Sequence, residues 1–303
     1  MVKSKAFRYK KVAFYTLILL STYIFTVGYG VNNNKVLIRF YDVGQGDSIL
    51  IKFPKELNEY KILIDGGPSN ILSTKISKDV SFNNKIINSV VITHLHDDHI
   101  AGLYDILHNY SIESAFIPSL PINEYKSSPL IKSLLGNNIT TITPFHNQIM
   151  TISNNNAMDS PATLRFIWSG LDSINATGCA NLDTSNPNVY SLVILLTYKD
   201  FSALFASDAE AGVLECLENL SDIDILKVPH QGSRDALFKN FYYSTLPEIA
   251  ILSVGKNTYG HPHKEVLDFL KLNSINTFRT DIYGDISILT DGITYTTFYS
   301  KIK

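Results

Sequence analysis

The sequence predicts a single α/β domain with β-sheets inside and helices outside, and three observations carry that expectation. Short apolar runs rich in Val, Ile, Leu and Phe recur at strand length, and segments with apolar residues at helical spacing fall between them. From residue 31 to residue 303 there is no internal repeat and no second shift in composition that would mark another domain. With 45% hydrophobic residues the chain can build a sizeable core, which excludes global disorder.

After a polar linker at Asn32–Asn34, KVLIRFYDVGQGDSILIKF reads as two strands joined by a Gly-rich turn at Gly44–Asp47. YKILIDGG is a third strand, ended at Asp65 by two glycines, and INSVVITH is a fourth. DDHIAGLYDILHNY puts Ile100, Leu103, Ile106 and Leu107 on one helical face, and ESAFIP is the next strand. Residues 121–187 are rich in Asn, Ser and Thr and read as less regular, with a helix around Leu130–Leu135. VYSLVILLTY and SALFASD form a hairpin through Lys199-Asp200, followed by a helix from Ala209 to about Leu217. The strand DILKVP, a helix near Ala236–Tyr243, the strand EIAILSVG and a helix from His263 to Leu272 come next. SINTF, DISILT and ITYTTF close the chain as strands.

The N-terminus stands apart. MVKSKAFRYKK carries Lys3, Lys5, Arg8, Lys10 and Lys11 and no acid, and Val12–Gly30 then runs nineteen residues without a charge. That is the layout of a transmembrane anchor or a signal peptide. The length favours an anchor, although Gly28 and Gly30 offer the small residues of a cleavage site after Gly30. In either case the basic flank, residues 1–11, stays in the cytoplasm, and residues 31–303 lie outside, on the cell surface or secreted. No cysteine precedes Cys179, which excludes a lipoprotein signal. Taking the flank's five basic residues from 26 leaves 21 against 28 acidic ones, a net charge of −7. Such a body has no general pull towards nucleic acid, so attraction to a polyanion must come locally, from metal ions or a small basic patch. Cys179 and Cys216 make no disulfide framework; two ordinary thiols or at most one bridge are expected.

The chemistry concentrates in VITHLHDDHIAG, Val91–Gly102, where three histidines and two aspartates fall within six residues straight after a β-branched run. Strand-end loops are where rigid scaffolds present functional groups. His94 and His96 are two apart in a segment leaving a strand, so their side chains point to one side and can grip one metal. Asp98 and His99 are adjacent at the start of the next helix, splay differently, and can serve a second metal nearby. A cluster of this size is costly to keep near a core without a cation to satisfy it. Two further residues share its context, a ligand type at the end of an apolar strand: Asp208 after ALFAS and His230 after DILKVP. A carboxylate can bridge two cations and an imidazole can cap one. Taken alone, Asp208 serves equally well as the N-cap of AEAGVLECL and His230 as a turn residue; their joint placement raises both as ligands.

These motifs resemble a known family. THLHDDH matches the HxHxDH signature of the metallo-β-lactamase superfamily. More narrowly, DVGQGDSILI, ILIDGG, VITHLHDDHIAGL, NVYSLVILL, LFASDAE, ILKVPHQGS and SVGKNTYGHPHKEVLDFLK, in order from Asp42 to about Lys271, resemble the extracellular hydrolase domain of ComEC-type competence proteins. The resemblance implies a four-layered αββα sandwich, two mixed β-sheets packed face to face with helices outside. It implies that Asp65 orients the histidine loop by hydrogen bonding, that His94 and His96 hold one metal, and that Asp98 and His99 hold the other. Asp208 is similar to the bridging carboxylate and His230 to the last histidine ligand. His261 in GHPH is similar to a position that contacts a substrate phosphate or the transition state, and Ser233 and Lys264 in the same matching stretches are expected to contact substrate. Two departures stand out. No histidine lies between His146 and His230, where many superfamily members carry a ligand; Asn188 is the expected substitute, better suited to Mn²⁺ than to a tightly held Zn²⁺. HQGS stands where the family often reads HHGS, which puts any role of the second histidine in doubt at Gln231. A single N-terminal segment stands in place of the large membrane channel of full ComEC proteins, so a role in DNA transport is not expected to carry over.

The implied function is a metal-dependent hydrolase with two divalent cations, Zn or Mn, activating a shared bridging hydroxide for in-line attack at phosphorus. In it Asp98 steers or accepts a proton from the attacking water, and Asp208 and His261 complete the catalytic set. The expected substrate is a phosphodiester, DNA among the options, and no protein partner is implied. A same-fold hydrolase of a small substrate is the alternative: a phosphorylcholine ester, a lactone or a β-lactam. A non-catalytic, metal-stabilised surface domain is the third reading. Lys227, Arg234, Lys256 and Lys264 lie close to the motif segments and offer a local basic patch, which a solvated face explains equally well. His108 and His146 are expected to be surface or satisfied residues, His263 a helix terminus, and Trp168 part of the core.

Overall fold

The computed structural model describes residues 34–81, 83–154, 160–179 and 182–301. The expected anchor or signal segment at residues 12–30 and its basic flank lie outside the described residues. Among the described residues, no helix is long and apolar enough to cross a membrane.

The first half of the chain lays down β1 (Val36–Phe40), β2 (Ile49–Lys52), β3 (Lys61–Ile64), α1 (Ile71–Ile76), β4 (Ile86–Val91), α2 (Asp97–Ile100), α3 (Leu103–Asn109) and β5 (Ser111–Phe116). It continues with α4 (Ile122–Ser127), α5 (Pro129–Gly136), β6 (Thr140–Ile142), β7 (Gln148–Ile152), β8 (Ala162–Trp168) and α6 (Leu171–Thr177). The second half supplies β9 (Val193–Tyr198), β10 (Phe201–Phe205), α7 (Ala211–Glu215), β11 (Ile225–Lys227), α8 (Lys239–Thr245), β12 (Ile249–Leu252) and α9 (Lys264–Leu272). It ends with β13 (Asn276–Arg279), α10 (Thr280–Tyr283), β14 (Ile286–Thr290) and β15 (Tyr295–Tyr299).

These strands make two mixed sheets. The first has eight strands in the order β15-β14-β1-β2-β3-β4-β5-β6, and the second has seven in the order β13-β12-β11-β10-β9-β8-β7. β3 to β6 run parallel in the first sheet and β10 to β13 in the second, while the remaining neighbours pair antiparallel. The sequence pattern explains which faces are covered. In β1 only alternate residues, Val36, Ile38 and Phe40, are buried, so one face meets the other sheet. In the parallel strands KILI of β3 and IAIL of β12 every residue is buried, because helices cover the second face. Three apolar layers result. Phe40, Ile51, Phe166, Ile194 and Phe205 fill the space between the sheets. Leu63, Leu72, Ile106 and Leu130 join helices to the first sheet, and Val213, Leu226, Phe241 and Leu270 join helices to the second. Each fully buried Phe or Leu there contributes on the order of 1.5–3 kcal/mol. The expected αββα sandwich is therefore the observed architecture.

Some elements differ from the sequence expectation. The described residues between 121 and 187 form helices and strands rather than an irregular stretch. The Ser-Pro start of α5 is a capping signal, since the Ser128 hydroxyl accepts from the Ile131 N–H at 3.3 Å and Pro129 occupies the first turn. The single helix expected after the histidine cluster is two short ones, and Leu107 is only half-buried. At the break the Gly102 N–H donates to the Gly67 carbonyl at 2.9 Å, outside the helix, and Gly102 lies so close to the loop after β3 that a Cβ would sit 2.0 Å from the Gly66 carbonyl oxygen. The helix expected from Ala209 is shorter and capped at Glu210, which frees Asp208 from an N-cap role. Trp168 is fully buried, with its indole N–H donating to the Val189 carbonyl at 2.7 Å, and His108 is exposed, as expected.

Candidate metal centre

Asp65, the histidine loop, Asp208 and His230 follow β3, β4, β10 and β11, at the carboxyl ends of parallel strands from both sheets. A hydrogen-bonded chain ties the two sheets together at this edge. The Ser207 hydroxyl donates to Thr93 Oγ1 at 2.7 Å, and the Thr93 hydroxyl donates to Asp65 Oδ2 at 2.6 Å. Asp65 is wholly buried and also accepts from the Thr93 N–H at 2.9 Å and from His99 Nδ1 at 2.7 Å. With its Nδ1 proton committed to Asp65, His99 turns Nε2, a buried atom with no hydrogen-bond partner, into the cluster. His94 Nδ1 lies 3.2 Å from the Thr93 hydroxyl, which can accept its proton and leave Nε2 bare.

Three imidazole Nε2 atoms converge on one carboxylate oxygen. Asp208 Oδ2 lies 3.3 Å from His99 Nε2, 3.8 Å from His230 Nε2 and 4.0 Å from His94 Nε2. Asp98 Oδ2 is 3.8 Å from His99 Nε2, and His96 Nδ1 is 3.1 Å from His94 Nε2. Nitrogen and oxygen ligands at about 2.0–2.2 Å from a divalent cation stand roughly 3.3–3.6 Å apart when tetrahedral, so these spacings and the orphaned His99 Nε2 suit a cation.

Charge is concentrated here. Burial alone would lower His99, but the Asp208 and Asp65 carboxylates outweigh it and hold the imidazole well above its ordinary value. His94 moves the other way, well below its ordinary value, through burial and the neighbouring His99 charge. Burial would raise Asp208, yet His99 and Lys227 hold it well below the usual carboxylate range. Lys227 is wholly buried, bonded to Asp47, 3.6 Å from Asp208 Oδ1, and donates to the Ser207 carbonyl at 2.8 Å. Burial would lower it, but Asp47 and Asp208 raise it above its ordinary value.

Residues 41–119 match the Metallo-beta-lactamase superfamily. The chain carries a metallo-β-lactamase superfamily domain. Among curated relatives it is 25% identical over 265 residues to ComE operon protein 3 of Bacillus subtilis, covering 81% of this chain and 32% of that protein. It is also 25% identical to Recombination protein 2 of Haemophilus influenzae, covering 82% of this chain and 28% of that protein. The chain thus spans about a third of the length of these relatives. Among solved structures, the metallo-beta-lactamase fold protein YhfI from Bacillus subtilis aligns with a TM-score of 0.52 at 10% identity, over 84% of this chain and 100% of that one.

Within the metallo-β-lactamase domain, Asp65, His94, His96, Asp98, His99, Asp208 and His230 stand together. Asn188 is buried at their edge, its amide N–H donating to Glu210 Oε1 at 2.9 Å and its Oδ1 left without a partner. His261 stands beside His230, ring centroids 5.4 Å apart, and is pushed below its ordinary value by burial and by His230. Ser233 is buried and its hydroxyl accepts from the Asp235 N–H at 3.2 Å. Lys264 is exposed and paired with Asp268 on its own helix. The expected basic patch needs correction at Lys227, which is buried under the cluster rather than on the surface; Arg234 and Lys256 are exposed. His263 caps α9, and its Nδ1 accepts from the Arg234 N–H at 3.2 Å. His146 is satisfied by Ser173 at 3.0 Å. Cys179 and Cys216 form a disulfide with Cα atoms 6.3 Å apart, so the two-thiol expectation gives way to the single bridge.

Four supporting residues escaped the sequence reading. Asp47 and Lys227 form a buried pair; a lysine inside the apolar run DILKVP was the available signal, since a charge in a central strand needs a buried partner. Glu210 lies 3.3 Å from His230 Nδ1 and is held below the usual carboxylate range chiefly by that imidazole. Gln231 donates to Asp98 Oδ2 at 2.8 Å and is itself bonded to Gln45, so the residue in place of a second histidine orients a carboxylate. A separate cleft of about 340 Å³, lined by Lys35, Arg39, Lys52 and Lys55, shares no residue with this cluster.

Proposed function

We propose that this domain is a metal-dependent phosphodiesterase with two divalent cations, Zn or Mn, presented outside the cell by residues 12–30. The observation that carries the reading is the convergence of three imidazole Nε2 atoms on Asp208 Oδ2, within 3.3–4.0 Å. His94, His96 and the free Asn188 Oδ1 would hold one cation, Asp98, His99 and His230 the other, with Asp208 between them. When bound, the pair supplies Lewis acidity that neutralises phosphoryl oxygens and acidifies water.

The chain's own residues do the rest. Asp65 keeps the His99 Nδ1 proton in place, and Glu210 faces His230 Nδ1, so each ring offers Nε2. Gln231 fixes Asp98, which accepts a proton from the attacking water. Lys227 offsets the buried charge of Asp47 and Asp208. His261, neutral beside His230, donates or accepts a hydrogen bond at the substrate phosphoryl group. The disulfide suits an oxidising, extracellular location. Resemblance to ComEC-type proteins brings DNA in as a substrate option. Bis-(p-nitrophenyl) phosphate hydrolysis in Mn²⁺ or Zn²⁺ tests the reading: Asp208→Ala should abolish turnover while circular dichroism stays native. Full activity in that variant, or cleavage confined to a chromogenic β-lactam, would overturn it.

A further inference from the structure

A cleft of about 310 Å³ opens against His94 and His96. Its walls come from the histidine loop, α2, α3, α4, the α4–α5 junction and Pro187, and they are largely apolar, with Leu120, Pro129 and Pro187 among them. Its charged lining residues are both acidic, Asp97 and Glu124; no Lys or Arg lines it among the described residues. Neither carboxylate belongs to an ion pair among the described residues, which sets them apart from Asp47, Asp79 and Asp208. Tyr104 presents its ring to the same cleft at 41% exposure, and its hydroxyl is raised by burial and by the Asp97 charge.

Resting on the phosphodiesterase reading, we propose that this cleft receives an ammonium-bearing arm of the substrate, so that the site selects amino-alcohol phosphodiesters over nucleic-acid strands. Two unpaired carboxylates supply the counter-charge, the Tyr104 ring offers a cation–π face, and the apolar walls suit methylene or methyl groups. A nucleic-acid strand would instead bring a flanking phosphate against Asp97 and Glu124 with no cation to meet it, and the net charge of −7 outside the basic flank works in the same direction. The reaction is a hydrolysis: the oxygen of water bonds to phosphorus, one P–O ester bond breaks, and the departing alcohol carries away a proton from water. No further reactant enters.

The test compares three chromogenic esters on the full chain with Mn²⁺: p-nitrophenyl phosphorylcholine, its neutral isostere p-nitrophenyl 3,3-dimethylbutyl phosphate, and thymidine 5′-(p-nitrophenyl phosphate). The kcat/KM of the choline ester should exceed that of the isostere by about tenfold, the scale of a desolvated cation–π and carboxylate contact. Glu124→Gln should cut that ratio several-fold, and Glu124→Lys should bring it to one or below. A ratio near one in the native protein, or a preference for the thymidine ester, overturns the proposal. If none of the three is cleaved, the phosphodiesterase reading fails, and calorimetry then decides the cleft by itself. Phosphorylcholine binding more tightly than 3,3-dimethylbutyl phosphate, with the difference lost in Glu124→Gln, supports it; equal or absent binding refutes it.

Discussion

The two sides of the ligand cluster are built differently. On the His99 side buried partners hold the cluster: Asp65 fixes His99, Gln231 fixes Asp98, and Lys227 stands behind Asp208. On the His94 side His96 is only half-buried, the third ligand position has no histidine, and an acidic cleft adjoins the pair. The difference teaches how one site can divide its labour. In the proposed reading the closed side would keep geometry and cation, while the open side would leave room for substrate at the cost of weaker ligation.

The largest expected effect breaks the closed side. Lys227→Met leaves Asp47 and Asp208 buried without their counter-charge, and should destabilise the protein by about 3–5 kcal/mol in urea unfolding. An unchanged midpoint would show that Lys227 does not support this side. Next comes Asp65→Asn, which removes the carboxylate that fixes His99; metal affinity measured by chelator competition should fall about 10–100-fold. A substitution in the other direction sharpens the contrast. Asn188→His should tighten the more weakly held cation by about tenfold, because imidazole outranks an amide oxygen for Zn²⁺. If chelator titration of that variant matches the native protein, position 188 does not face a cation.

The smallest effect is the pH dependence. Burial would lower His99, but Asp208 and Asp65 raise it, so without a cation the imidazole keeps its proton above its ordinary value. Its contribution to the stability of the metal-free protein is fully present below the unfolded value of about 6.5 and is lost as pH rises through the raised folded value. A cation at Nε2 must displace that proton, so affinity should climb with pH over the same window. Calorimetry in buffers of different ionisation enthalpy should register about one proton released on the His99 side. Affinity independent of pH would break the assignment.

Much of the fold was legible because it rests on local pattern. The alternation in VLIRF, the apolar run KILI and the turn at Lys199-Asp200 each announce their element within a few residues. Residues 121–187 were harder, since the polar residues of β7 and β8 lie on partly exposed faces and mask the alternation beneath. The ligand types were legible as well, because THLHDDH crowds them after one strand and Asp208 and His230 each end another.

What the sequence determined alone is therefore the layered class, the strand-end placement of the cluster and the residue types it gathers, all set by short-range periodicity and side-chain chemistry. Tertiary structure alone decided how each ligand is held. Asp98 meets Gln231 across 133 positions of chain, and Lys227 reaches Asp47 from the opposite sheet. Burial then decides which of these groups carries charge: a lysine, two aspartates and two histidines sharing one dry edge titrate by their neighbours rather than by residue type. The cleft beside His94 and His96 is likewise a product of packing, formed where α3, α4 and Pro187 come together, and no stretch of sequence spells it.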